Sequence, residues 1–155
     1  MDYLLSLIIF FPSFGAFILS IFLRGENLES NNNAKLLTLV STLATFIFSI
    51  FVLSNFNSNL TGFQLVEEYK WLMGLTYKVG IDGISLPLIL LTTITMPIVI
   101  ISSWKIERNV KEYMICFLIL ETLILGVFCS LDLVLFYLFF ESGLIPMFLI
   151  IGIWG

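Results

Sequence analysis

Histidine is absent from this 155-residue sequence, and charged residues make up only 12% of it. Without histidine the chain lacks the usual general base and the commonest metal ligand, which excludes a self-contained zinc site and a histidine-based catalytic triad. A soluble domain carries about 25% charged residues, so the low charge excludes that class as well. The net charge of −4 argues against nucleic-acid binding, which needs a basic surface.

Hydrophobic residues make up 59% of the chain. A bilayer core about 30 Å thick needs roughly 20 apolar residues per helical crossing, and five stretches reach that length. The sequence therefore predicts an all-α polytopic membrane protein, with residues 1–155 forming one membrane domain. The five predicted helices cover about residues 3–23, 36–53, 83–103, 113–131 and 133–154.

The connection between the second and third helices, residues 54–82, is long and polar. It contains two runs of alternating aromatic and polar residues, Phe63–Trp71 and Leu75–Val79, on either side of Gly74. This pattern predicts a small β-hairpin on the outer surface of the membrane. Two strands alone are only marginally stable, so we expect the hairpin to pack against a partner.

The distribution of basic residues predicts the orientation. Five lie in the first and third loops, two in the second loop and none in the fourth. Because lysine and arginine accumulate on the side that is not translocated, the N-terminus is predicted outside and the C-terminus inside.

Glu121 and Glu141 are the charged residues deep within predicted spans. Each lies about ten residues from the turn near Asp132, so at about 1.5 Å per residue both are about 15 Å deep, near the membrane midplane. An ionised residue there costs roughly 2.5 to 3.5 kcal/mol, and we interpret both as candidates for proton transfer. The structural alternative is a protonated glutamate hydrogen-bonded across a helix interface. The sequence leaves open whether the two face each other.

Pro146 lies five residues after Glu141, beside the small residues Ser142 and Gly143. Proline removes a backbone donor and weakens a helix, so we expect a helix break beside the candidate site.

Two strings carry a family resemblance. Tyr77–Leu86 contains Asp82 and Gly83 in a G-[IV]-D-G pattern, and Leu133–Gly155 contains Glu141 and Pro146 in an F-E-x-x-L-x-P pattern. They resemble chain 4 of NADH:ubiquinone oxidoreductase, respiratory complex I. The order of a hairpin after the second helix and a glutamate on the fifth is similar too.

The resemblance implies an antiporter-like, proton-pumping subunit of about fourteen helices built on inverted repeats, with Glu141 as its proton-handling group. It implies membrane-arm partners, the mitochondrial inner membrane (the plasma membrane in a bacterium), and a C-terminus on the matrix side. No redox group and no metal is expected in this chain; NADH, flavin, iron–sulfur clusters and ubiquinone are implied elsewhere in the complex. The family's later helices lie beyond Gly155, and we expect a separate polypeptide to supply them.

Two other functions remain open. The chain is also compatible with a subunit of a multisubunit cation/proton antiporter, a related family with a buried glutamate. A purely structural or assembly subunit, which supports its neighbours by helix packing and moves no proton, is the alternative from another class.

Overall fold

The computed structural model describes residues 3–22, 28–60, 62–70 and 76–155. Within them, five helices of membrane-spanning length and a two-stranded antiparallel hairpin follow one another, as the sequence predicts. The elements in chain order are α1 (Leu4–Phe22), α2 (Leu28–Asn55), β1 (Gln64–Lys70), β2 (Thr76–Ile81), α3 (Ser85–Ser102), α4 (Val110–Cys129) and α5 (Leu133–Trp154). The predicted hairpin turn at Gly74 falls outside the described residues.

Helix α2 begins at Leu28, whereas hydropathy places its start at Leu36. The added turns contain Glu29 and the asparagines 31–33, which a search for apolar runs does not count. The helix therefore extends beyond its apolar span.

The hairpin pairs Tyr69 with Tyr77 and Glu68 with Lys78, and the latter two also form a salt bridge of 2.8 Å. It is anchored to the turn between α4 and α5, because the Leu131 N–H donates to the Lys78 carbonyl at 2.9 Å. That extended turn ends α4 at Cys129, two residues before the predicted boundary. The expected packing partner of the hairpin is thus the helix bundle itself.

Helix α4 is the centre of the bundle and contacts the other four helices. Half of its span is buried, against 17% for α5, which lies at the edge. Close packing fixes α5 on α4: a Cβ added at Gly126 would lie 2.6 Å from the Phe139 ring.

Helix α2 carries a polar face inward and an apolar face outward. Apart from Ala34 and Val52, the buried residues of α2 are hydroxyl residues and one lysine, and the outward face carries exposed aliphatic and aromatic residues. Soluble proteins show the opposite pattern, whereas polar residues join helices inside membrane bundles. The inward residues are Lys35, Thr38, Ser41, Thr42, Thr45 and Ser49; the outward ones include Leu36, Val40, Leu43, Ile47, Ile50 and Phe51.

The loops predicted to share a side also share an end of the bundle. At the end opposite the hairpin, Lys35 Nζ donates to the Trp104 carbonyl at 2.7 Å and Lys111 Nζ to the Ser20 carbonyl at 3.1 Å. Lys70 and Lys78 lie on the hairpin, at the other end. Arg24 falls outside the described residues.

Candidate functional site

Glu121 lies at the inner surface of α4 and is completely buried, with 0% of its surface exposed. Neither carboxyl oxygen has a hydrogen-bond partner among the described residues. Its neighbour Thr122 accepts a hydrogen bond of 2.8 Å from the Ser13 hydroxyl, which joins α1 to α4 at this level. A buried polar group without a partner costs about 1 to 3 kcal/mol, so this carboxyl lowers the stability of the fold.

Glu141 lies on the exposed side of α5, where it interacts with Tyr137 one turn earlier on the same helix. The sequence places Glu141 deep within a predicted span, and among the described residues its side chain is exposed on the outside of the bundle. The side of α5 that packs on α4 instead carries Phe139 and Pro146. No hydrogen bond among the described residues joins Glu141 to Glu121, so the two candidates stay apart.

Pro146 does not break the helix. Helix α5 runs without interruption from Leu133 to Trp154, with the proline buried against the bundle. The expected helix break is therefore wrong, because losing one backbone donor leaves the other hydrogen bonds of a long, apolar helix in place.

Asp82, in the first family motif, lies three residues before the start of α3. Its carboxylate accepts hydrogen bonds from the Ser85 N–H at 2.7 Å and the Ile84 N–H at 3.0 Å, the arrangement of a helix cap. The Ser85 N–H is the main cause that lowers the pKa of this carboxyl below its usual value. Gly83 beside it is exposed, and a Cβ there would meet nothing within 4 Å. The contacts of Asp82 are thus those of a structural residue.

Glu67 is a buried carboxyl that the sequence analysis did not single out. From strand β1 it accepts hydrogen bonds from the Leu5 N–H at 2.7 Å, the Ser6 N–H at 3.1 Å and the Ser6 hydroxyl. These amides are in the first turn of α1, where backbone N–H groups lack partners and the helix dipole favours an anion. The sequence signal for this buried carboxyl was the acidic pair Glu67 and Glu68. Successive residues of a strand point to opposite faces, so one of the two carboxyls must face inward.

Tyr77 extends this network, with its hydroxyl 3.0 Å from the Ser6 hydroxyl. Burial is the main cause that raises the pKa of Tyr77 to about 12. The tyrosine therefore stays neutral and able to donate at any physiological pH.

The chemistry available is that of carboxyl groups and hydroxyls. Among the described residues, no group of three His, Cys, Asp or Glu side chains is placed to hold a metal ion. Five helices of membrane-spanning length define a multi-pass membrane protein. Residues 7–131 match the family described as NADH-ubiquinone oxidoreductase chain 4, amino terminus, and the chain belongs to this family.

Relatives match along nearly the whole chain. NADH-quinone oxidoreductase subunit M of Rhodobacter capsulatus is 54% identical over 155 residues, 100% of this chain and 30% of that protein. NADH-ubiquinone oxidoreductase chain 4 of Arabidopsis thaliana is 45% identical over 154 residues, 97% of this chain and 30% of that protein. The chain thus spans about 30% of the length of the curated relatives it matches.

The fold also matches a solved structure. A chain of respiratory complex I from Thermus thermophilus with bound NADH superposes with a TM-score of 0.77 and 22% identity. The match covers 97% of this chain and 29% of that chain. It confirms the predicted arrangement of helices and hairpin as the fold of a complex I membrane subunit, and the family match confirms the resemblance.

Proposed function

We propose that this chain takes part in proton translocation in the membrane arm of NADH:quinone oxidoreductase, coupled to quinone reduction in other subunits. Family membership supports the assignment to this enzyme, since its relatives carry that enzyme's name. The observation that supports a proton-handling role is a pair of carboxyl groups inside helices of membrane-spanning length, Glu121 and Glu141. NADH, flavin, iron–sulfur clusters and ubiquinone belong to other parts of the complex.

Glu141 is the proposed proton-handling group, and its surroundings support the need for further helices. An exposed carboxyl on an apolar helix would meet lipid, which is costly enough that such residues normally face protein or water. Because relatives are about three times longer, we propose that the exposed side of α5 is covered by additional helices, in this polypeptide or in a second one. Adjacent membrane-arm subunits complete the set of partners.

The proposed cycle loads and releases a proton at Glu141 as the charge and hydration around it change. Burial against the additional helices favours the neutral form, and water or a basic group brought near favours the ionised form. Moving one proton against 100 mV costs about 2.3 kcal/mol, which this chain cannot supply by itself. Quinone reduction elsewhere provides that free energy.

The proposed orientation puts the N-terminus and hairpin outside, and the C-terminus in the matrix or bacterial cytoplasm. It follows from the basic residues gathered at the end opposite the hairpin, including Lys35, Lys105, Arg108 and Lys111.

Partnership is tested first. Native complexes are solubilised in detergent, separated on a gel stained for NADH dehydrogenase activity, and analysed by mass spectrometry. We expect peptides of this chain in the active band together with the sequences of the additional helices. Migration with antiporter subunits, or alone, would overturn membership in the enzyme.

Mechanism is tested with Glu141→Gln, which removes the exchangeable charge at nearly constant volume. In vesicles containing the assembled enzyme, we expect proton translocation per NADH to fall while the complex stays intact. Ser142→Ala, on the next residue of α5, is the matched control and should pump normally. A Glu141→Gln enzyme that assembles and pumps at the wild-type ratio would favour a purely structural subunit.

A further inference from the structure

A cavity of about 480 Å³ lies at the hairpin end of the bundle, between α1, α5 and the hairpin. Cavities of this size, mostly apolar with a few polar groups, are typical of sites for small molecules. Residues of all three elements line it: Tyr69, Lys70 and Tyr77 of the hairpin, Ser6 and Phe10 of α1, and Leu135, Leu138 and Phe139 of α5. Glu141 does not line the cavity, which is therefore distinct from the proposed proton-handling group.

The lining of the cavity changes from polar to apolar with depth. At the outer end, the hydroxyls of Ser6 and Tyr77 lie 3.0 Å apart, and Lys70 is exposed. The deeper part is lined by aromatic and aliphatic side chains, among them Phe10 and Phe139. Tyrosine is enriched where a membrane meets water, so the polar end of the cavity lies at the membrane surface.

The depth of the cavity fits within one leaflet of the bilayer. Phe10 lies six residues after Leu4, where α1 begins, and Phe139 lies six residues after Leu133, where α5 begins. At about 1.5 Å per residue both mark a depth of about 9 Å, less than the roughly 15 Å of half a bilayer core. A spanning helix needs a groove along the whole bundle, whereas a lipid chain enters one leaflet from the surface. The depth therefore favours a lipid as the occupant.

Lys70 gives the outer end of the cavity a positive charge. The other lysine of the hairpin, Lys78, is paired with Glu68 at 2.8 Å, whereas no carboxylate among the described residues pairs with Lys70. A lysine stem lies along apolar surface while its ammonium group stays in water, where it attracts the phosphate of a lipid. The charge thus complements an anionic headgroup above the apolar part of the cavity.

We propose that this cavity is a binding site for an anionic phospholipid. The phosphate lies at Lys70, and the upper part of one acyl chain lies between Phe10 and Phe139. The hairpin then binds lipid with its Lys70 end while Glu67 holds it on the start of α1. The proposal does not depend on proton translocation by this chain.

The test is photolabelling of the assembled enzyme in phosphatidylcholine vesicles. The tracer is phosphatidylglycerol or phosphatidylcholine with the same diazirine-bearing acyl chain, and mass spectrometry locates the labelled peptides. We expect about fivefold more label from phosphatidylglycerol at the segments around Phe10 and Leu138, the factor that corresponds to about 1 kcal/mol for one lysine at a membrane surface. The preference should disappear in Lys70→Gln and persist in Lys70→Arg.

Lys105→Gln is the matched control, because it removes one exposed lysine at the opposite end of the bundle and should keep the preference. Leu138→Trp fills the cavity with a larger side chain and should lower labelling around Phe10 by both lipids. Absence of label at both segments in the wild-type enzyme would overturn the proposal, since protein then fills the cavity. Equal labelling by the two lipids, unchanged in Lys70→Gln, would also overturn it, because the headgroup is then not selected.

Discussion

Glu67 and Glu121 are the two glutamates that the described part of the chain buries, and their surroundings are opposite. Glu67, at the hairpin end, accepts hydrogen bonds from two backbone amides and a hydroxyl. Glu121, in the middle of the bundle, has no partner among the described residues. A hydrogen-bonded carboxyl holds two elements together, whereas a buried carboxyl without a partner lowers the stability of the fold. Burial alone therefore does not separate a structural carboxyl from a candidate for proton transfer, whereas the hydrogen bonds of the two carboxyls differ.

The largest effect is expected for Glu67→Ala. Hydrogen bonds to a charged group contribute about 1.5 to 3 kcal/mol, and this substitution leaves the Leu5 and Ser6 amides without their acceptor. We expect a loss of about 3 kcal/mol in stability, detected as a lower melting temperature of the detergent-solubilised complex and faster proteolysis of the hairpin. Glu68→Ala, which removes only an exposed ion pair with Lys78, should change either readout little. Equal effects of the two substitutions would contradict the role of Glu67 as the acceptor for the first turn of α1.

The next effect concerns the packing of α4 on α5. Gly126→Ala places a methyl group 2.6 Å from the Phe139 ring, so the ring or helix must shift. Such overpacking costs about 1 to 3 kcal/mol. Thermal unfolding should detect it, and Gly143→Ala, where a Cβ meets nothing within 4 Å, should be close to neutral. If both variants melt alike, α5 is not fixed by this contact.

Tyr77→Phe tests the hydrogen-bond network at the hairpin end by removing one hydroxyl. The loss of its contact with the Ser6 hydroxyl should cost about 1 kcal/mol. Because the folded state raises the pKa of Tyr77 from 10 to about 12, its contribution is complete below pH 10 and is lost as the pH rises through 12. Melting temperature against pH should therefore converge for wild type and variant above about pH 12. A constant difference would contradict this assignment.

The smallest effect is expected for Asp82→Ala, which removes the cap of α3. Helix caps contribute about 1 kcal/mol. The pKa of Asp82 is lowered in the folded state, so the cap is present above the usual aspartate range and is lost as the pH falls through the lowered pKa. Wild type and variant should approach each other in melting temperature only in strong acid. Unchanged NADH-driven pumping at neutral pH would agree with a structural role, whereas a loss of pumping without a loss of stability would contradict it.

Sequence patterns predicted the parts of the fold that depend on hydropathy and alternation. Apolar runs located all five helices, and the alternating residues before and after Gly74 located the hairpin. The early start of α2 was missed because its Asn31–Asn33 turn is helical but polar. Helix ends outside the apolar span have no hydropathy signal.

The candidate site was only partly predictable, because hydropathy gives the depth of a residue but not the direction in which it faces. Glu121 and Glu141 lie on helices that are adjacent in the bundle, yet one points inward and the other outward. The acidic pair in strand β1 indicates that one carboxyl faces inward, but no local pattern reveals that Glu67 bonds the start of α1, more than sixty positions away. The buried polar residues of α2 have a helical spacing that could have been recognised in the sequence.

The comparison of the two buried glutamates is tested most directly by Glu121→Gln in the assembled enzyme. The account predicts a complex as stable as wild type, with fewer protons translocated per NADH oxidised. Glu112→Gln, an exposed position on the same helix, is the matched control and should pump normally. A Glu121→Gln complex that assembles and pumps at the full ratio would contradict the account, and so would one whose melting temperature falls as that of Glu67→Ala is expected to fall.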